Sequence, residues 1–270
     1  MRKTMRIASL LVGAAVLVGV AMPTLAVDGV ILIDQNKALA GNVTPGDAPG
    51  FPVTISLPGS YRLASNLTVP DDVTDGIVVQ ADNVILDLNG FSIRGPRTCS
   101  GNPTTACTGP NGPFPTGIKV ENARGATVRN GSITGFDFGV DIEGKLAPSA
   151  LVEELHVYSN GGIGIRADYS VVRSCTATNN GFHGIQADGS VLENNVTTFN
   201  ALTGLSVGNA SVVMHNSSAS NGQYGIEGNN TVFGGNNLIG NGLGSMRPGS
   251  VSMVSQGNNA CGAYDSPGAC

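Results

Sequence analysis

Twenty residues separate Asp168 from Asp188, and twenty separate Arg166 from Gln186. In a chain coiled with that period, residues one period apart stand side by side. Glu121, Glu143, Asp168 and Asp188 then form one column of carboxylates, neighbours about 4.8 Å apart. Carboxylates that close repel, and a proton or a bound cation relieves them. Paired carboxylates are also what glycosidic chemistry requires. Arg166, Asp168 and Asp188 are therefore the candidates for catalysis. The plain alternative is turn chemistry, because Glu143-Gly144, Asp168-Tyr169 and Asp188-Gly189 stand where a chain would bend into water. A second column, expected to face solvent, reads Lys119, Asp141, Arg166, Gln186, Ser206, Glu227. From these columns and their flanks, Lys119, Asp141, Glu143, Gln186, Tyr169 and Tyr224 are the candidates for contact with a ligand. A third column, Arg129, Glu153, Arg173, Glu193, alternates in sign. It reads as an exposed ladder of ion pairs that fixes register, each pair worth about 0–1 kcal/mol.

These columns exist only if the chain repeats, and it does. A Gly-apolar-x pattern recurs at Gly76, Gly117, Gly139, Gly164, Gly184, Gly204 and Gly225. A pair of apolar residues runs in phase with it: Leu151-Val152, Val171-Val172, Val191-Leu192, Val212-Val213. So does a polar turn at Asn160, Asn180, Asn200, Asn221 and Asn241, and a further Asn ladder is expected at Asn195, Asn216 and Asn236. Short alternating runs with Gly/Asn turns and no helical period give strands. A unit of about twenty residues cannot bury its own apolar side chains, so it must stack on its neighbours. The fold class this predicts is all-β: a right-handed single-stranded parallel β-helix (β-solenoid) with short N- and C-terminal caps. Asn suits the turns through its tolerance of left-handed backbone and its capacity to stack in hydrogen-bonded ladders. The surplus in the 41-residue step from Gly76 to Gly117 reads as a loop insertion at 96–115. Insertions in solenoids gather on one face, often the binding face. A smaller insertion lies at 144–149, and phase is lost after Asn241.

Composition narrows the classes. The chain of 270 residues has 39 Gly, 12% charged residues and no Trp, which suits neither a coiled coil nor a helical bundle. A net charge of -5 excludes a nucleic-acid backbone as partner. Arg2, Lys3 and Arg6 precede an apolar run, and a small-residue cleavage point follows at Ala26, so residues 1–26 read as a signal peptide. Its removal leaves no membrane span and a net charge of -8. The expected division is signal peptide 1–26, N-terminal cap 27–51 with a strand near Val30, β-helix 52–245, and C-terminal cap 246–270. The location is secreted, periplasmic or extracellular. In an oxidising compartment the simplest disulfides are Cys99 with Cys107 and Cys261 with Cys270, leaving Cys175 reduced and buried.

The stretch Asn83-Val84-Ile85-Leu86-Asp87-Leu88-Asn89-Gly90, followed by the Gly-apolar-x series, resembles the pectate-lyase-like right-handed β-helix repeat proteins, as a generic secreted member. Pro58-Gly59-Ser60-Tyr61-Arg62-Leu63 with Asn66-Leu67-Thr68-Val69 is similar to that family's entry strands. The resemblance spans about residues 52–241 and concerns the fold. It implies that chemistry, where a member has any, lies on the outer face of the parallel strands and uses calcium-bound acids or paired aspartates. On that analogy calcium is the one cofactor to consider, at Glu121, Glu143, Asp168 and Asp188; nothing else in the chain implies one. Phe182-His183-Gly184 is similar to the His-Gly of β-helix polygalacturonases, but that family's other motifs do not occur with it in the needed pattern, and the Asp-Pro-His-Asp of alginate epimerases is absent. Those mechanisms are not carried over. His156, His183 and His215 occupy different repeat positions and are expected at the surface. Tyr61, Tyr158, Tyr169 and Tyr224 could offer platforms to sugar rings.

The favoured function is a non-catalytic β-helix that binds polysaccharide or a cell-surface polymer along its exposed parallel-strand face. The alternatives are a polysaccharide lyase or glycoside hydrolase of that fold, and an adhesive or structural surface protein. A cleft in which Asp141, Asp168 and Asp188 converge beneath the 96–115 loop would favour the enzyme; a flat ladder would not.

Overall fold

A computed structural model describes residues 29–109, 112–143, 149–247 and 252–262. The expected signal peptide, the middle of the 144–149 insertion and Cys270 lie outside them. Short parallel strands stack along three directions of a right-handed coil, the hand that parallel crossovers take. Sheet I has nine strands, from Val53–Ile55 through Ile77–Val79, Thr116–Glu121, Phe138–Glu143, Ile165–Ala167, Ile185–Ala187, Leu205–Val207 and Tyr224–Gly228 to Gly244–Met246. Sheets II and III are two halves of a 17-stranded sheet. In two coils one strand, Thr127–Thr134 or Leu151–Tyr158, runs through both halves. Elsewhere a two-residue bend such as Ser174 and Cys175 separates them.

Strand alternation builds the core. In sheet II the middle residue of each strand points inward, so Val128, Val152, Val172, Leu192 and Val213 are fully buried. Each contributes about 1.5–3 kcal/mol relative to exposure. Only the second member of each apolar pair is core; the first, as at Val191, faces out.

Two buried amide ladders run beside this core. Asn180 Nδ2 donates to Asn200 Oδ1 at 2.9 Å, Asn200 Nδ2 to Asn221 Oδ1 at 2.9 Å, and Asn221 Nδ2 to Asn241 Oδ1 at 3.0 Å. The second ladder joins Asn195, Asn216 and Asn236, then reaches Asn259. The left-handed residues are the ones before the first ladder, Ser159, Asn179, Phe199 and Ser220. Asn thus forms the expected ladders through its side-chain amide, whereas the left-handed backbone expected of the same residues falls one position earlier. The recurring glycines also answer to spacing rather than to turning. A Cβ on Gly184 would stand 2.7 Å from the Gly204 carbonyl oxygen and 2.7 Å from Asn200 Nδ2.

The ends differ from expectation in detail. Val30–Ile33 does form a strand, and it pairs in parallel with Gly59–Leu63 as the first rung of sheet II. A helix, Gln35–Ala40, follows, capped by Asp34 accepting from Lys37 N at 2.8 Å, and its Ala38 seals the core. Six residues are too few for a helical period to register in the sequence. Past Asn241 the motif fades but the rungs do not. Gly244–Met246, Val254–Ser255 and Ala260–Cys261 each pair with the coil before, because backbone pairing does not need the side-chain motif.

Cys99 and Cys107 are bonded, and Cys175 is free and buried. Burial pushes the Cys175 thiol up to about 12, which leaves it unreactive. Cys261 is disulfide-bonded; its expected partner Cys270 lies outside the described residues.

Candidate functional site

The second column stands in register on sheet I, since Lys119 pairs with Asp141, Asp141 with Arg166, Arg166 with Gln186, Gln186 with Ser206 and Ser206 with Glu227. It does not face solvent uniformly. Asp141 is buried beneath Arg166, whose Nε and Nη2 both reach its carboxylate at 2.6 Å. The guanidinium also lies 4.7 Å above the Phe138 ring. A bidentate, ring-stacked arginine is held in place, so the expected catalytic Arg166 commits Nε and Nη2 to Asp141. Lys119 Nζ stands 3.4 Å from Glu121 Oε1.

The carboxylate column is partly assembled. Glu121 and Glu143 are register partners, but Glu121 turns toward Gln80 and Lys119, which hold its carboxyl below the usual range. The Glu143 side chain is outside the described residues. Asp168 Oδ1 accepts from Asp188 N at 2.9 Å, and burial, reinforced by the Asp188 charge, pushes the Asp168 carboxyl up. Asp188 leans over the next rung, where Gly208 leaves room, and its Oδ1 is buried without a hydrogen-bond partner. Around them is an open hollow of about 210 Å³, lined also by Gln186, Ser206 and Val207. Among the described residues no three His, Cys, Asp or Glu side chains converge as a metal would require.

The 96–115 insertion borders the other edge of sheet I. Its hairpin, Cys99–Ser100 against Ala106–Cys107, is closed by the disulfide. Thr104 N donates to Phe199 O at 2.9 Å and Asn179 Nδ2 to Gly101 O at 3.1 Å, so the loop drapes over the corner leading into sheet I. Arg97 anchors it on Asp137 at 2.8 Å, both nearly buried. Asp168 and Asp188 follow the strands of sheet I, whereas the loop lies before them. The strand width keeps the two apart, so no convergence beneath the loop occurs.

His183 corrects the surface expectation. It is 8% exposed, its Nδ1 accepts from Thr203 N at 3.3 Å, and its Nε2 faces Glu227 Oε1 at 3.6 Å. Burial lowers its pKa, against the pull of Glu227. Arg247 Nη1 meets the other Glu227 oxygen at 3.3 Å and extends the column by one rung. Comparing the histidines with one another, instead of with the acids two coils on, hides this contact in the sequence. The ring is buried and its Nδ1 is engaged by the Thr203 amide, while Nε2 faces Glu227 without reaching hydrogen-bond distance. The tyrosines separate. Tyr61 is buried, its hydroxyl donating to Leu57 O at 2.8 Å, so it is no platform. Tyr158 stacks on His156, Tyr169 is 51% exposed beside the Asp168 turn, and Tyr224 begins a rung of sheet I.

Three solved structures have similar shapes. The Agl-KA catalytic domain is 14% identical over 66% of this chain, with a TM-score of 0.39, and the chain spans 41% of its length. A double mutant of the periplasmic alginate epimerase AlgG is 14% identical, with 84% of this chain and 73% of that one covered and a TM-score of 0.48. A single mutant of the same epimerase is 16% identical, with 85% and 72% covered and a TM-score of 0.40. No curated protein matches the chain. The family described as "Right handed beta helix region" matches residues 55–243, more than half of the chain. With the parallel stacked coils seen above, this chain belongs to the right-handed β-helix family.

Proposed function

We propose that the protein is an exported, non-catalytic β-helix that binds a polysaccharide along the outer face of sheet I. The observation that carries the reading is the row from Lys119 to Arg247. Its accessible members, Lys119, Arg166, Gln186, Ser206 and Arg247, lie on rungs about 4.8 Å apart, between the insertion on one side and the Asp168–Asp188 hollow on the other. A repeating row suits a repeating hydroxylated ligand. Of the groups a cleaving enzyme would need, Arg166 has Nε and Nη2 on Asp141, and Asp168 has Oδ1 on the Asp188 amide. The Cys99–Cys107 disulfide supports an oxidising location, and among the described residues no helix is long and apolar enough to cross a membrane.

The test is binding of the purified chain to a panel of neutral and uronate polysaccharides. Gln186→Ala with Glu227→Ala should weaken binding at least about ten-fold, the loss of one or two hydrogen bonds to charged or polar groups. The series is run with and without calcium, because Asp168 and Asp188 offer a cation two carboxylates and a polymer would have to complete its shell. Silence across the panel defeats the reading. Release of reducing ends or unsaturated products replaces it with catalysis. Export is tested separately, by N-terminal sequencing of the processed chain, which should begin at Val27.

A further inference from the structure

Of the three histidines, His183 alone is buried, and the atoms around it fix where its proton sits. Its Nδ1 accepts from the Thr203 amide, so the single proton of the neutral ring is on Nε2. Nε2 is turned toward Glu227 Oε1 at 3.6 Å, while Arg247 Nη1 holds the other Glu227 oxygen at 3.3 Å. Phe182 packs edge-on against the ring, with centroids 4.4 Å apart. Glu227 and Arg247 are the charged groups that act on the ring. Tyr224, on the same strand as Glu227, is the other titratable side chain of that strand.

A second proton has no place in this arrangement. It would sit on Nδ1 and meet the Thr203 N–H, two donors with no acceptor between them. The imidazolium would also be buried, which costs desolvation. The Glu227 carboxylate offsets that cost fully only when the ring leaves Thr203 and turns onto it. We propose that His183 is a proton-operated latch on sheet I. Neutral, the ring ties its coil to the Thr203 amide and leaves Glu227 to Arg247. Protonated, it swings off Thr203 and takes Glu227, and the Arg247 guanidinium is released at the end of the polar row. The Arg247 side chain is 61% exposed and can move into water, whereas Glu227 is 13% exposed and stays. Burial sets the switch below the ordinary histidine value of 6.5, against the pull of Glu227. A histidine shifted in that direction adds stability above 6.5 and loses it as pH falls toward the folded value. If sheet I binds a polymer as read above, acid adds an unpaired cation to one end of the row; this last step alone rests on that reading.

Nitrogen-15 NMR of the histidine rings in the full chain tests the latch. At neutral pH the His183 ring should carry its proton on Nε2. Its titration midpoint should lie below 6.5, and the Thr203 amide shift should move with the same midpoint. Protection of that amide from exchange should fall at least about ten-fold across it. His156 and His215 serve as controls in the same spectra. His183→Asn puts an oxygen in the place of Nδ1 and takes up no proton. In that variant the Thr203 amide should keep its shift and protection between about pH 4 and 8. Its melting temperature should gain on wild type as pH falls through the wild-type midpoint. A ring protonated on Nδ1 at neutral pH overturns the proposal. So does a midpoint at or above 6.5, or a Thr203 amide that ignores the titration. Binding is a separate arm: affinity for a uronate polysaccharide should rise below the midpoint in wild type and stay level in Arg247→Gln. A level wild-type curve beside a titrating ring overturns the link to the row, and silence toward every polymer overturns the polymer reading without touching the ring.

Discussion

At the scale of single residues, what matters is which polar groups are buried and what holds them. Asp168 carries a carboxyl whose pKa burial raises above the ordinary 3.8. A group with a raised folded-state pKa adds stability below its unfolded value and loses it as pH climbs through the folded value. Asp168→Asn keeps an oxygen to accept the Asp188 amide. It should therefore raise the melting temperature at neutral pH, with the advantage fading below about pH 4. Thermal unfolding of both proteins across pH 3–8 checks it, and an advantage that persists at pH 3 contradicts it. Gly184→Ala addresses the spacing argument. Its new methyl meets the next coil's carbonyl and a ladder amide. It should cost about 1–3 kcal/mol in urea unfolding, where a glycine kept only for flexibility would gain from the substitution.

At the scale of elements, the ladders and the insertion behave differently. Asn200 donates to Ala177 O and to Asn221 Oδ1, and its own oxygen accepts from Asn180 at two atoms. Asn200→Ala strands several buried groups at once, so a loss of about 2–4 kcal/mol is expected by urea unfolding. The insertion is held by the disulfide, by Arg97 on Asp137 and by a few hydrogen bonds over the corner. Replacing Cys99 and Cys107 by serine should make residues 98–108 readily cleaved in limited proteolysis while the coil beneath melts within a few degrees of wild type. The loop's closure entropy is local and contributes little to the stack.

At the scale of the molecule, each coil touches only its neighbours, so stability is greatest where a rung is covered on both sides. Amide exchange should be slowest at Val172, Leu192 and Val213 and fastest at Val30–Ile33 and Ala260–Cys261, which end the stack. Uniform protection from end to end would point to coverage of the ends. The same one-dimensional order writes sheet I as a largely polar row and sheet II as a column of mostly apolar residues beside a charged one.

The sequence by itself determined the coil, its register and its columns, because a period of about twenty in three phased motifs admits one stacking. It also showed the Cys99–Cys107 pair and the buried Cys175. It did not show that Asp141 is covered, that His183 reaches Glu227, or that Tyr61 is core. Those contacts join residues in different coils through side-chain directions, which a register places side by side without orienting. The helix Gln35–Ala40 was too short to carry a period. The separation of the insertion from the Asp168–Asp188 edge needed the strand width between them. Periodicity fixes which residues are neighbours; only the tertiary structure decides which neighbours meet, since burial and pairing depend on what covers each rung from the side.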